Sequence, residues 1–358
     1  MNSALRVIIL TPTGLPNLTG NAVTAERWRI ALSREGVVVR VIETQSLDPA
    51  GLIRILEHFR PHIVHAHHIS RAGALMLDPR VVQKYGHLPL VVSPGGTDVN
   101  LHMRKETGMT LIGETCRAAR AVIVQSPEIA RILEELLPDL KGRIAAAPKS
   151  FLWFGTDPFD LRTSAGCRPQ DILFFMPAGI RPVKGNLECL LAMEAAQTAC
   201  PGLRVVFAGP ALDAGYAGRF RKEIQRMASL ATWIPSIPLP AMFSAYQGAD
   251  VVLNHSISEG FSNALLEAMA AGRPVLASDI PGNRWLSEDK DGIGPCGCLF
   301  NPGKPGDFIR KINHLFHDPA IRERLAANGR LRAATWPGPA EEARRLLSIY
   351  AAAIETPV

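Results

Sequence analysis

The chain has 358 residues, 47% apolar and 20% charged, with 30 glycines, 28 prolines and a formal net charge of +6. That composition fits a globular protein of about two domains and excludes collagen, a coiled coil and wholesale disorder. No apolar run reaches the ~20 residues that cross a bilayer, and the first, 6–10, is too short for a signal-peptide core, so a cytoplasmic protein is expected.

In chain order, short β-branched runs at 6–10, 37–42, 63–67, 90–93 and 121–125 read as strands. Helical stretches such as 23–34 lie between them, and 125–137 follows the last. A second series comes at 171–176, 203–208, 231–234, 251–254 and 274–277, with helices over 187–199 and 264–271. Strands alternating with helices predict an α/β fold of two doubly wound, Rossmann-like parallel sheets covered on both faces. Residues 147–166 show neither period, so the chain is expected to divide into domains 1–150 and 151–335. A tail, 336–358, carries an amphipathic helix at 338–354 with Ala343, Leu346, Leu347 and Tyr350 on one side, expected to pack back across the hinge. Ligands of such sheets bind at the carboxyl ends of strands, so the residues just after each strand carry the information.

The positive charge suits an anionic partner: nucleic acid, an acidic membrane surface or a phosphorylated small molecule. No basic strip interleaved with aromatics is present, which argues against nucleic acid. The six cysteines lack a framework spacing and read as reduced thiols, and Cys296-Gly-Cys298 has no second pair nearby to complete a metal site.

The most informative string is Ser258-Glu-Gly-Phe-Ser-Asn-Ala-Leu-Leu-Glu-Ala-Met269, after the strand at 251–254. Ser262 is placed to cap a helix that Gly272 closes. The amides of Phe261 to Ala264 then face the strand end, where a helix N-terminus suits a phosphate, and Gly260, Phe261, Ser262 and Asn263 are the expected donor-binding residues of this segment. Glu259 sits beside that phosphate and Glu267, a turn into the helix, can clasp a diol. Taken singly, each glutamate reads first as a solvated surface residue, and it is the whole string that points to a site. Upstream, Gly179-Ile-Arg181-Pro-Val-Lys184-Gly185 puts two cations on one stiffened turn after the strand at 171–176, within reach of one pyrophosphate.

The string resembles the paired-glutamate element of retaining nucleotide-sugar glycosyltransferases of family 4 type (glycosyl transferases group 1), whose two Rossmann-like domains face each other across a cleft in the GT-B fold. The likeness continues in Gly272–Ala277, Ile280-Pro-Gly-Asn283, Gly179–Gly185, Thr19–Ala25 and Gly95–Asn100, and spans residues 6 to about 333. It implies that Arg181 and Lys184 neutralise the donor diphosphate, that Glu259 contacts sugar hydroxyls and that Glu267 holds the ribose. It also implies that Gly20, in the loop after the first strand, faces the donor phosphates, with Asn21 and Thr24 as polar contacts. The spacing between Arg181 and Lys184 is shorter than the family's common form. Relatives often carry a sugar-contacting His where this chain has Gly95, so that contact does not transfer.

Asp98, after the strand at 90–93, either orients acceptor or sugar or caps the following helix. His65 and His67 share a strand face. A metal site, an acceptor-side polar lining and plain packing are the alternatives, with His67 the better site residue. Asp289-Lys-Asp291 reads as a charged surface turn, not a metal-binding pair. Base recognition is assigned to the neighbourhood of Trp233–Ile237 and Gly209-Pro210, though Trp233 equally fits a core position. Basic residues at 104–105 and 117–120 either touch an anionic lipid surface or form a solvated helix face. No G-x-G-x-x-G and no P-loop occurs, which argues against a dehydrogenase and an NTPase.

The expected function is transfer of a sugar from a nucleotide-diphosphate sugar, UDP- or GDP-linked, to an acceptor hydroxyl with retention and without cofactor or metal. A catalytically silent nucleotide-sugar-binding relative and a sugar-nucleotide epimerase of the same fold are the rivals. Donor base, sugar and acceptor stay open.

Overall fold

A computed structural model of the chain describes residues 4–103, 105–289 and 292–356. It divides into two compact units, Met1–Leu152 with Pro337–Val358, and Trp153–Trp336.

The first unit holds strands β1 (Arg6–Thr11), β2 (Val38–Glu43), β3 (Ile63–His67), β4 (Leu90–Ser93), β5 (Ala121–Val124) and β6 (Ile144–Ala146). They form one parallel sheet in the order β2-β1-β3-β4-β5-β6. The β-branched run of β1 is what such a sheet demands, since Val7, Ile8, Ile9 and Leu10 lose all contact with solvent on both faces. Helices α1 (Gly20–Arg34), α2 (Pro49–Phe59), α3 (Pro79–Tyr85), α4 (Glu106–Ala118) and α5 (Pro127–Leu136) cover the sheet. Asp48 and Asp78 accept from Gly51 and Arg80 N–H groups ahead of a proline at the first turn of α2 and α3.

The second unit repeats the plan. After the short helix α6 (Leu161–Ser164) come β7 (Ile172–Pro177), α7 (Asn186–Ala196), β8 (Leu203–Ala208), α8 (Ala214–Arg226) and β9 (Ala231–Ile234). Then follow α9 (Met242–Gly248), β10 (Val251–Asn254), α10 (Asn263–Ala270), β11 (Val275–Ser278), β12 (Cys298–Phe300), α11 (Pro305–His317) and α12 (Pro319–Ala334). The parallel strand order is β12-β11-β10-β7-β8-β9. Chain direction across the sheet therefore reverses between β7 and β10, and in the first unit between β1 and β3. Crevices for ligands open at such points, at the carboxyl ends of the strands.

The last helix, α13 (Pro339–Glu355), belongs to the first unit. Its Ala343, Leu346, Ile349, Tyr350 and Ala353 join Trp28 and Ala25 of α1 in one apolar cluster on the sheet. Glu342 is fully buried in the same interface. Its carboxylate accepts from Arg27 at 3.0 and 3.1 Å, from Trp28 Nε1 at 2.6 Å, and from Ser150 and Gln125. Burial alone would push this carboxyl up, but Arg27, Ser150 and Trp28 hold it below the ordinary glutamate range.

Two expectations shift. Helix α1 begins at Gly20, not near residue 23, because Thr19 accepts from Ala22 N–H at 3.2 Å and caps it early. The short strands β6 and β12, three residues each, were not anticipated. Arg104, Lys290 and Asp291 lie outside the described residues. Among the described residues no helix is long and apolar enough to cross a membrane.

Candidate active site

The reversal point between β7 and β10 gathers the two strongest sequence elements. After β7 the chain passes Gly179, Ile180 and Arg181, makes one tight turn at Pro182–Lys184 and enters α7. Arg181 N–H donates to Asn186 Oδ1 at 3.2 Å, bracing this loop against the start of α7. Gly185 joins turn to helix with φ +63°, and a β-carbon there would lie 2.6 Å from His255 Nδ1 and from its carbonyl oxygen. Only glycine satisfies both demands. Ile257 N–H donates to Val183 O at 2.9 Å, fastening the loop after β10 to the Lys184 turn.

That fastening sets Lys184 Nζ 2.6 Å from Glu259 Oε1, with the two side chains 18% and 10% exposed. The same oxygen accepts from Ser256 Oγ at 2.6 Å and Asn254 Nδ2 at 3.0 Å. Burial raises the Glu259 carboxyl, but Lys184, Ser256 and Asn254 together hold it lower than an ordinary glutamate, so it is ionised at neutral pH. Asn254 is itself held through Oδ1 by Ser256 N–H at 3.2 Å and Asn283 Nδ2 at 3.3 Å. Gly282 passes so close that a β-carbon would stand 2.4 Å from Glu259 O. The carboxylate is thus fixed from several elements.

Helix α10 starts four residues on. Phe261 stacks on Trp285 with centroids 4.9 Å apart at 13°, and touches Trp336 at 5.7 Å. Its ring anchors the loop while its backbone stays at the helix start. The helix ends in a double hydrogen bond, Gly272 N–H to Met269 O and Arg273 N–H to Ala268 O, with Gly272 at φ +67°. Glu267, half-buried, accepts from Tyr246 Oη at 2.8 Å. Tyr246 is locked edge-on against Phe175 and Trp153, and burial beside Glu267 drives its hydroxyl well above the ordinary tyrosine range.

The remaining predicted residues lie in the first unit. Gly20 and Asn21 open α1, with Thr24 buried one turn on. His67 Nδ1 and His65 Nε2 share the Ser93 hydroxyl at 3.0 Å each, and both rings pack on Trp28. Asp98 caps no helix. Its two oxygens accept from Ile69 N, Ser70 N, Ser70 Oγ, Gly95 N and His68 Nδ1, at 2.6 to 3.1 Å. His68, Asp98 and His102 bring three ligand-type atoms within 4.8 Å. The Ser70 hydroxyl sits among them, 2.6 Å from Asp98 Oδ1 and 2.9 Å from His102 Nδ1, so hydrogen bonds join the three side chains.

Two family models cover most of the chain: the glycosyl transferases group 1 model matches residues 160–332, and a glycosyl transferase 4-like domain matches 3–145. The chain belongs to the group 1 glycosyl transferases. Among curated relatives, glycosyltransferase 1 domain-containing protein 1 of Xenopus tropicalis is 24% identical over 87% of this chain and 88% of its own length. The D-inositol 3-phosphate glycosyltransferase of Thermomonospora curvata is 32% identical over 52% of this chain, a stretch that spans 44% of that relative. Among solved structures, a sucrose-phosphate synthase from Thermosynechococcus elongatus superposes with a TM-score of 0.80 at 18% identity, covering 97% of this chain and 98% of that one. The Anabaena protein HepE in complex with UDP-glucose gives 0.74 at 18%, covering 96% and 99%. These likenesses show the GT-B fold.

Within this glycosyltransferase the structure brings Lys184 and Glu259 together and sets Gly260, Phe261, Ser262 and Asn263 beside them in the chain. Ser262 departs from expectation: it stands at the N-cap position, but its hydroxyl makes no cap and lies 3.4 Å from Asn254 Nδ2 instead. Trp233 belongs to packing, its Nε1 donating to Gly209 O at 2.9 Å with Phe220 at its edge and Arg221 over its face. Asp289 accepts from Gly294 N–H in a surface turn. Arg117 pairs with Asp139, and Arg120 donates to Thr356 O. Sequence reasoning missed Asn254, Ser256 and Tyr246, which position the two glutamates.

Proposed function

We propose that this glycosyltransferase moves a sugar from a UDP- or GDP-linked donor to an acceptor hydroxyl with retention of configuration, without a divalent metal. The observation that carries the reading is the Lys184–Glu259 pair at the β7/β10 reversal point, beside the start of α10. A diphosphate arriving there competes for the Lys184 ammonium, and the positive end of α10 faces the same charge. As Lys184 turns to phosphate, Glu259 keeps its Asn254 and Ser256 bonds and gains an open acceptor position for a sugar hydroxyl. Glu267, oriented by Tyr246, takes the ribose diol.

Preorganised charge of this kind stabilises a departing diphosphate and a cationic sugar. With Arg181 and Lys184 supplying the positive charge, the leaving phosphate itself accepts the proton of the incoming hydroxyl on the same face. The nucleotide-sugar reading draws support from HepE, whose structures hold UDP-glucose and UDP. A cytoplasmic setting is part of the proposal, supported by six free thiols.

The test is a panel of UDP-, GDP- and ADP-sugars followed by NMR of the product anomer. Retention with turnover intact under excess chelator is the expected result. Inversion removes the same-face scheme, and turnover abolished by chelator removes the metal-free one.

A further inference from the structure

The donor site leaves one constellation unused, in the first unit at the carboxyl ends of β3 and β4. His68 and Ser70 follow β3, and Asp98 and His102 follow β4. Asp98 Oδ1 lies 2.9 Å from His68 Nδ1, 3.9 Å from His102 Nδ1 and 2.6 Å from Ser70 Oγ. Ser70 Oγ lies in turn 2.9 Å from His102 Nδ1 and 3.4 Å from His68 Nδ1. Two imidazole nitrogens, a carboxylate oxygen and a hydroxyl oxygen are thus clustered. Four ligands at zinc bond lengths of about 2.0–2.2 Å stand about 3.4 Å apart at the corners of a tetrahedron. The separations here run from 2.6 to 3.9 Å and bracket that figure.

The backbone departs twice from regular geometry to assemble this cluster. His68 adopts φ +82°, which residues bearing a side chain rarely do, and strain of this kind collects at functional sites. After β4, Met103 N–H donates to Asp98 O at 2.9 Å, five residues back where a regular helix bonds four back. This π-type turn brings Asp98 and His102 to one side, and such turns are frequent at functional sites. The surroundings orient the donors. Asp98 Oδ2 accepts from Ile69 and Gly95 N–H at 2.8 and 2.9 Å, which leaves Oδ1 for the imidazoles. His68 Nε2 lies 2.9 Å from Thr97 Oγ1, so carboxylate, imidazole and hydroxyl form a continuous chain. A histidine that ligates through one nitrogen characteristically hydrogen-bonds through the other. His68 and Asp98 are closed to solvent, while the His102 side chain is 29% exposed and gives a cation its way in.

We propose that His68, Asp98 and His102 bind one zinc ion, with the Ser70 hydroxyl at the fourth corner. Each neutral imidazole gives its Nδ1 lone pair to the ion and carries its proton on Nε2, which for His68 donates to Thr97 Oγ1. Asp98 supplies the negative charge, and Ser70 keeps its proton. Two nitrogen donors favour zinc over magnesium and calcium, which take oxygen ligands. The ion ties the segment after β3 to the segment after β4. It belongs to the first unit, and the sugar transfer proposed above is built without it.

The test uses the full chain, stripped by chelator and then titrated by calorimetry with zinc and with magnesium. The wild type is expected to bind one equivalent of zinc and no magnesium. His102→Ala removes a ligand at the partly exposed end of the cluster and is expected to weaken zinc binding at least about a hundredfold. Zinc at about a hundred times its Kd is expected to raise the melting temperature of the wild type by about 5 °C and to leave His102→Ala unmoved. X-ray absorption of the zinc-loaded wild type is expected to show imidazole nitrogen at about 2.0 Å and no sulfur, a readout that holds even where the variant fails to fold. A wild type that binds no zinc overturns the site, as does equal affinity in a folded His102→Ala. A sulfur shell overturns it too, by placing the ion on cysteines. None of these measurements reads turnover, so failure of this site and failure of the nucleotide-sugar reading are separate results.

Discussion

Lys184 and Glu259, 75 residues apart in the chain, meet at 2.6 Å where β7 and β10 end. The lysine occupies one of three donor positions around a single carboxylate oxygen, and Asn254 and Ser256 hold the other two. A cation held this way is pre-aimed yet exchangeable. It trades one anion for another without leaving a buried charge alone, because the two remaining donors stay on the carboxylate.

Tyr246→Phe isolates the second glutamate. The ring keeps its edge contacts with Phe175 and Trp153, and only the 2.8 Å bond to Glu267 is lost. The donor KM is expected to rise about fivefold with kcat little changed, as a bond of about 1 kcal/mol would give, and the melting temperature to stay nearly constant. Steady-state kinetics beside a thermal melt check both. A fall in kcat with KM unchanged would move Tyr246 from donor binding to the chemical step.

Glu342→Leu addresses what seats the final helix. The change takes the carboxylate from buried Arg27, Trp28 and Ser150 at once. Removing one partner of a buried pair costs about 3–5 kcal/mol, and that loss is expected in the urea unfolding of the first unit. Pairing it with Arg27→Met is expected to recover most of the loss. Equal stability of single variant and wild type would show that the network contributes little.

Acid sensitivity has a definite sign. Burial lowers His65 from about 6.5 to about 3, and His67 falls well below its ordinary range for the same reason. Between those values the unfolded chain binds protons that the folded one refuses, so stability is full above pH ~6.5 and declines as pH falls toward ~3. Urea midpoints across that window measure it. His65→Gln, which carries no such proton, is expected to flatten the slope, and an unchanged slope would place the titration elsewhere.

Much of this was legible before any coordinates. Residues Val7–Leu10 of β1 and Leu173–Met176 of β7 are apolar throughout because both faces are covered, and that signal survives without context. The strands β6 and β12 are too short to carry a period. The string from Ser258 to Met269 announced its site because chemistry and helix start coincide in one segment. Tyr246 did not, since an aromatic residue in a short helix reads as core, and here it is both core and partner of Glu267. Glu342 had a signal that went unread: it stands four and eight residues before Leu346 and Tyr350, on the face that is buried. The Asp98–His68–Thr97 chain joins residues 29 and 30 positions apart, and no local pattern links them.

Calorimetric titration of UDP and GDP into the wild type and Lys184→Ala tests the central claim most directly. The wild type is expected to bind one of them, and the variant to bind it at least about tenfold more weakly while keeping its fold, as loss of a charge-assisted contact of about 1.5–3 kcal/mol requires. Equal affinities in the two proteins, or no binding of either nucleotide by the wild type, would contradict it.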